Sequence, residues 1–315
     1  MPAAITHYIF AKEAIEDLKT PLVFLKNEEY KKVAYVGAQG PDPLFFAGMN
    51  PFVKRKNSKH INQIGSYLHD HKMATKFIDM IEFANRFDGN QKDVLYSYIF
   101  GAMLHYCLDR VAHPFIFYRS GFSLNGDKSR NYEADHALYE SYVDTMLQKN
   151  KGTNYKAKDV IKANKQLISL VSTMYAHNEK LESDDFYNAW RDMKSCEVLL
   201  QDSCGFKRWL FRKLKMENTL QYGMIHPKEN DLKLDFLNLN REMYKNPQSL
   251  EKSQHSFFEL YNIALQDVKN IVKLVKKAYN KEDVEEDMIS YCGDINYEGT
   301  LENSNMREFD SILVK

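Results

Sequence analysis

The chain has 315 residues, 44% hydrophobic and 27% charged, enough for one large domain with a real core. Its 43 basic residues balance 43 acidic ones, so no net field draws it to nucleic acid or an acidic membrane, and such a contact needs a local patch. Its four cysteines, Cys107, Cys196, Cys204 and Cys292, form no close CxxC pair, which argues against a disulfide framework and a thiolate zinc site.

Apolar residues spaced three and four apart predict helices over 4–18, 27–36, 72–87, 91–113, 132–149, 156–178, 184–200, 205–217 and 251–279. Pro21, the GAQGPDP turn at 37–43, the SGFSLNGDKSRN loop at 120–131 and the HPKEN turn at 226–230 separate them. Sustained strand alternation is lacking. The expected fold is all-α, with one helical domain over 1–280 and a polar tail over 281–315. The start, MPAAITHYIF, has no signal-peptide pattern, and no run reaches about 18 clean apolar residues. The expectation is a soluble, cytoplasmic protein.

The chemistry concentrates in HYCLDRVAHP at 105–114. Four residues advance a helix by about 400°, so His105, Asp109 and His113 form one stripe. The outer two lie about 12 Å apart along the axis, too far for one ion with bonds of about 2 Å. Asp109, between them with two oxygens, is placed to bridge two ions. Cys107, about 200° round the helix from His105, reads as core.

Further ligand types recur along the chain. His136 and Glu140 stand four apart in HALYE, His69 and His71 lie in GSYLHDH, Asp42 sits in the GPDP turn and His7 in ITHYIF. Alone, His136 with Glu140 reads as a surface helix pair and Asp42 as a turn former. His177, His226 and His255 read as core or exposed residues. Together, His7, Asp42, His69, His105, Asp109, His113, His136 and Glu140 make a nitrogen and oxygen ligand set that suits zinc, manganese or iron.

The order His7, Asp42, His69, His105-xxx-Asp109, His113, His136-xxx-Glu140 resembles the zinc-dependent phospholipases C, whose helical fold is shared with the single-strand-specific zinc nucleases. In motifs the resemblance spans roughly residues 2–145. It implies a multi-helix fold around two or three Zn2+ ions. Asp42, His69, His105 and Asp109 would hold one, and His113, His136 and Glu140 a second. His7 and Asp109 would hold a third, with the chain's terminal amine and carbonyl. One of His69 and His71 suffices as ligand. Two features depart from the secreted members. No terminal tryptophan supplies the amine; removal of Met1 would leave Pro2, five residues before His7, the spacing of the nucleases. The Asp109-to-His113 gap of four is also shorter.

The resemblance implies a phosphodiester hydrolase acting on a phospholipid, with Asp42 positioning or deprotonating the attacking water. GFKRWLFRKLK at 205–215 interleaves Arg208, Arg212 and Lys215 with Trp209, Leu210 and Phe211, a pattern suited to peripheral membrane contact, to nucleic-acid phosphate or simply to a solvated helix face. Phe45, Phe46, Phe115, Phe117 and Tyr118 flank the ligands and read first as core packing. Other readings are a single-strand nuclease or nucleotide phosphatase on the same scaffold, an HD-type phosphohydrolase built on His69-Asp70, and a noncatalytic helical protein braced by metal. Neutral net charge ranks nucleic acid below phospholipid as partner.

Overall fold

A computed structural model describes residues 4–301 and 305–314. The fold is all-α. In chain order the helices are α1 (Ala4–Glu16), α2 (Glu28–Gly37), α3 (Ser58–Asp70), α4 (Met73–Ala84), α5 (Gly89–Ser120), α6 (Tyr132–Lys151), α7 (Ala157–Val160), α8 (Lys165–Glu179), α9 (Asp185–Leu200), α10 (Phe206–Lys213), α11 (Leu220–Gly223), α12 (Phe257–Tyr279) and α13 (Glu285–Cys292). Two short antiparallel strands, β1 (Tyr244–Lys245) and β2 (Lys252–Ser253), precede α12.

The 32-residue helix α5 is the axis of the molecule. It buries side chains on every face, the signature of a helix enclosed by others. Helices α1, α2, α4, α6, α8 and α12 all pack against it. Aromatic residues fill the spaces: Tyr175 stacks on Phe186 at 4.2 Å, and the Trp190 indole N–H donates to the Ile161 carbonyl at 2.9 Å.

Several boundaries differ from the periodicity reading. The helix expected to stop at 113 continues through Pro114 to Ser120. Proline removes only the bond to the Arg110 carbonyl, and burial around the following turns sustains the helix. The segment 156–178 splits in two, because the Asn164 side chain accepts the Gln166 N–H and starts α8 afresh. The helix expected over 251–279 begins at Phe257, where Ser256 and Glu259 form a capping box, and Lys252 and Ser253 pair as strand instead. The periodicity reading omits α3, although Ile61, Ile64 and Leu68 stand three and four apart; its stripe is short and holds Gly65. The helix at 205–217 is confined to 206–213.

Three elements converge on the middle of α5. Helix α1 crosses it, its first turn held by Asp144 of α6, which accepts from the Ile5 and Thr6 amides at 3.2 and 2.8 Å and from His226 Nε2 at 2.8 Å. A 3-10 turn over Asp42–Phe46 lies against α3, where Asn62 donates to the Leu44 and Phe45 carbonyls at 2.8 and 3.0 Å. The segment after α13 returns to α5 and buries Tyr297 against it.

Candidate metal centre

All eight candidate ligands meet at this convergence. Asp109 is in the middle. Its Oδ2 lies 2.9 Å from His105 Nε2, and its Oδ1 lies 3.1 Å from His7 Nε2 and 3.8 Å from His113 Nε2. On one side, Asp42 Oδ1 stands 3.0 Å from His69 Nε2 and 4.0 Å from His105 Nε2. On the other, Glu140 Oε1 stands 3.2 Å from His136 Nε2 and 3.5 Å from His113 Nε2. Three groups result: Asp42, His69 and His105; His7, His105 and Asp109; and His113, His136 and Glu140. His105 belongs to the first two, and Asp109 touches the third through His113. All but His136 are buried, and His136 is only partly exposed.

The second ring nitrogens explain why the cluster suits cations. His69 Nδ1 lies 2.9 Å from the Gly65 carbonyl, His105 Nδ1 3.0 Å from the Ala38 carbonyl and His113 Nδ1 2.7 Å from the Tyr297 carbonyl. A carbonyl only accepts, so each Nδ1 carries a proton, and each ring in its neutral form turns an Nε2 lone pair inward. The lone pairs of His69 and His105 then face carboxylate oxygens at 3.0 and 2.9 Å. Nε2 of His69, Nε2 of His105 and Oδ1 of Asp42 are buried without a hydrogen-bond partner. Such an arrangement repels itself unless positive charge lies between. Two ligand atoms on one tetrahedral zinc stand about 3.3 Å apart, within the range seen here. The residues therefore fit zinc.

Electrostatics point the same way. Burial opposes ionisation of Asp109, yet the His105, His113 and His7 rings outweigh it and hold the carboxyl well below its ordinary value. Burial pushes the His105 and His136 imidazoles down, toward the neutral form that ligates. His113, between Asp109 and Glu140, is pushed up to about 9 against burial, so a cation there would displace its proton. Gly40 adds a steric condition. Its φ is +52°, and a Cβ there would lie 2.2 Å from the His105 ring, so only glycine lets this turn approach the ligand.

Other candidates fall outside the three groups. His71 ends α3 with its ring 4.0 Å from that of Tyr67, and Asp70 is exposed. Cys107 is buried and donates to the Ala264 carbonyl. His226 serves Asp144. Phe46, Phe115 and Tyr118 are core, whereas Phe45 and Phe117 are half-buried, with rings 4.9 Å from His69 and 4.6 Å from His136. The terminal amine falls on residues 1–3, outside the described residues.

Tyr297 was not legible as a site residue. Its amide donates to the His69 carbonyl at 3.3 Å, its carbonyl receives His113, and its ring lies 5.2 Å from both His69 and His105. A backbone carbonyl carries no residue-type signal, and the segment reads as tail.

The family model for zinc dependent phospholipase C matches residues 6–187. The chain belongs to this family. The match takes in all eight candidate ligands, while Tyr297 lies beyond it. Comparison with curated proteins and with solved structures gives no significant match. Membership supports a zinc-using hydrolase and a phospholipid substrate class. No helix among the described residues is long and apolar enough to cross a membrane.

Proposed function

We propose that this zinc-dependent phospholipase C family member hydrolyses the phosphodiester of a phospholipid, releasing a diacylglycerol-like alcohol and a phosphorylated head group. The supporting observation is the Asp109 carboxylate, shared by imidazoles from α1 and from both sides along α5, with further carboxylate–imidazole groups on either flank.

His7, Asp42, His69, His105, Asp109, His113, His136 and Glu140 would hold two or three Zn2+ ions. Asp42, His69, His105 and Asp109 would take one, His113, His136 and Glu140 a second, and His7 with Asp109 a third. Bound zinc supplies a water acidified to near-neutral pH and charge to offset the phosphoryl oxygens. The chain's own contribution is order. The Gly65, Ala38 and Tyr297 carbonyls fix three imidazoles in one tautomer and orientation. Asp42 orients the attacking water. Burial would raise its carboxyl, but charges that include the His69 and His105 rings hold it low, so it acts more as ligand and acceptor than as proton store. Phe45 and Phe117 offer apolar surface beside the ligand rings.

The test is metal analysis of the purified protein with phosphorus-31 detection of products from short-chain phosphatidylcholine, and single-stranded DNA as the competing substrate. Zinc-dependent release of the phosphorylated head group, lost on chelation and restored by zinc, is expected. Cleavage of DNA alone would make it a nuclease. A zinc-loaded protein that cleaves neither, and only melts lower on chelation, would make the metals structural.

A further inference from the structure

Helix α10 is built inside out. Phe206, Trp209, Leu210 and Leu214 follow the spacing of a buried amphipathic stripe. They are instead exposed, Phe206 by 55%, Trp209 by 51% and Leu214 by 59%. On the opposite side Arg208, with the half-buried Phe211, packs inward, while Arg212 stays exposed. Arg208 is buried, donating to the Ile225 carbonyl at 2.9 Å and to the Tyr142 and Tyr222 hydroxyls at 3.0 and 3.1 Å, with its guanidinium over the Tyr222 ring. Arg212 donates to the Tyr222 hydroxyl at 2.9 Å and pairs with Asp231. Burying a guanidinium is costly unless its donors are met, and here the two Nη groups are met by the Ile225 carbonyl and two tyrosine hydroxyls. The fold therefore commits Arg208 to holding the apolar stripe outward.

The exposed face continues, and lysines neighbour it in the chain. Val198 and Leu199, at the end of α9, are also exposed, and Lys207 joins them by donating to the Leu199 and Gln201 carbonyls. Lys213 and Lys215 are exposed and stand in no ion pair among the described residues. The Phe206 and Trp209 rings stack at 5.6 Å.

We infer that α10 and the end of α9 form a docking face for an anionic phospholipid bilayer, with the aromatic stripe entering the headgroup–acyl boundary and Lys207, Lys213 and Lys215 meeting lipid phosphates. Tryptophan beside lysine is the interfacial pattern, whereas lysine is depleted where proteins bind one another. The choice of lipid also rests on the proposed phospholipid substrate. Docking would concentrate the enzyme where that substrate lies, and the neutral whole-molecule charge leaves attraction to this local patch.

The experiment is sedimentation of the zinc-loaded full chain with sucrose-filled vesicles of phosphatidylcholine, with and without about 30% phosphatidylserine. Binding is expected to the anionic vesicles, weakened by salt, with a blue shift in tryptophan emission. Of the two tryptophans, Trp190 is fully buried, so the shift reports Trp209. Phe206→Asp with Trp209→Asp should reduce vesicle affinity at least ~10-fold with Tm and zinc content unchanged. Lys213→Glu with Lys215→Glu should abolish the preference for phosphatidylserine. Absence of binding, or binding unaltered in the aspartate variant, overturns the proposal. So does a wild-type dimer that the same variant renders monomeric, which would assign the face to a second copy. Vesicle binding without hydrolysis of monomeric short-chain phosphatidylcholine would leave the docking face standing and overturn the proposed activity; the converse would do the opposite.

Discussion

Nε2 of His7 lies 3.1 Å from Oδ1 of Asp109, tying the first helix to the centre of the fifth. The other oxygen of the same carboxylate faces His105 at 2.9 Å. One carboxylate thus faces imidazoles of all three ligand groups, and its loss should be felt in all of them.

Asp109→Asn keeps the shape but removes the charge. Zinc content should fall, and kcat/KM on short-chain phosphatidylcholine should drop by at least ~100-fold, the upper end of what outer-shell changes cost metal sites. His71→Ala, outside the three ligand groups, should stay near wild type. Equal small losses in the two variants would remove the bridging role from Asp109.

Gly299 tests the segment carrying Tyr297. Its φ is +69°, and a Cβ there would lie 2.3 Å from the Arg110 carbonyl, which is backbone and cannot swing aside. Gly299→Ala should displace the carbonyl that receives His113 Nδ1 and weaken zinc binding ~10- to 100-fold, read by competition with a chromogenic chelator. Unchanged zinc affinity would make this segment mere covering.

Asp144 holds the first turn of α1 and so the approach of His7. It is fully buried, bonded to two amides, the Thr6 hydroxyl and His226. Asp144→Ala leaves these donors unpaired and should cost about 3 kcal/mol or more, read by denaturant unfolding. Zinc occupancy involving His7 should fall with it.

Glu197 gives the stability a pH dependence apart from the ligands. Burial, opposed by His226 and reinforced by Asp144, pushes its carboxyl up to about 7. An unfolded glutamate ionises near ~4.3, so between these values the folded chain binds more protons and stability falls as pH rises. The charges around it are Asp144 from α6, His226, and Arg208 from α10, which acts on His226. Glu197→Gln should melt a few degrees above wild type at about pH 8 and show less advantage at about pH 5. A gain equal at both pH values would dissociate Glu197 from the effect.

The sequence by itself determined the helical class and the stripe of His105, Asp109 and His113, because helical spacing is a local property and three metal-ligating residues at intervals of four are rarely needed for packing. It also marked His136 with Glu140, again within one helix. Only the tertiary structure decided that His7, Asp42 and His69, from separate elements, arrive at that stripe, and that His69 rather than His71 faces it. It alone showed the carbonyls that fix the imidazoles and the return of Tyr297 from a segment that reads as polar tail, since backbone acceptors are the same at every residue. The outward stripe of α10 was likewise hidden: periodicity reveals that a helix has two faces, and only its neighbours, here Tyr142 and Tyr222 receiving Arg208, decide which one is turned inward.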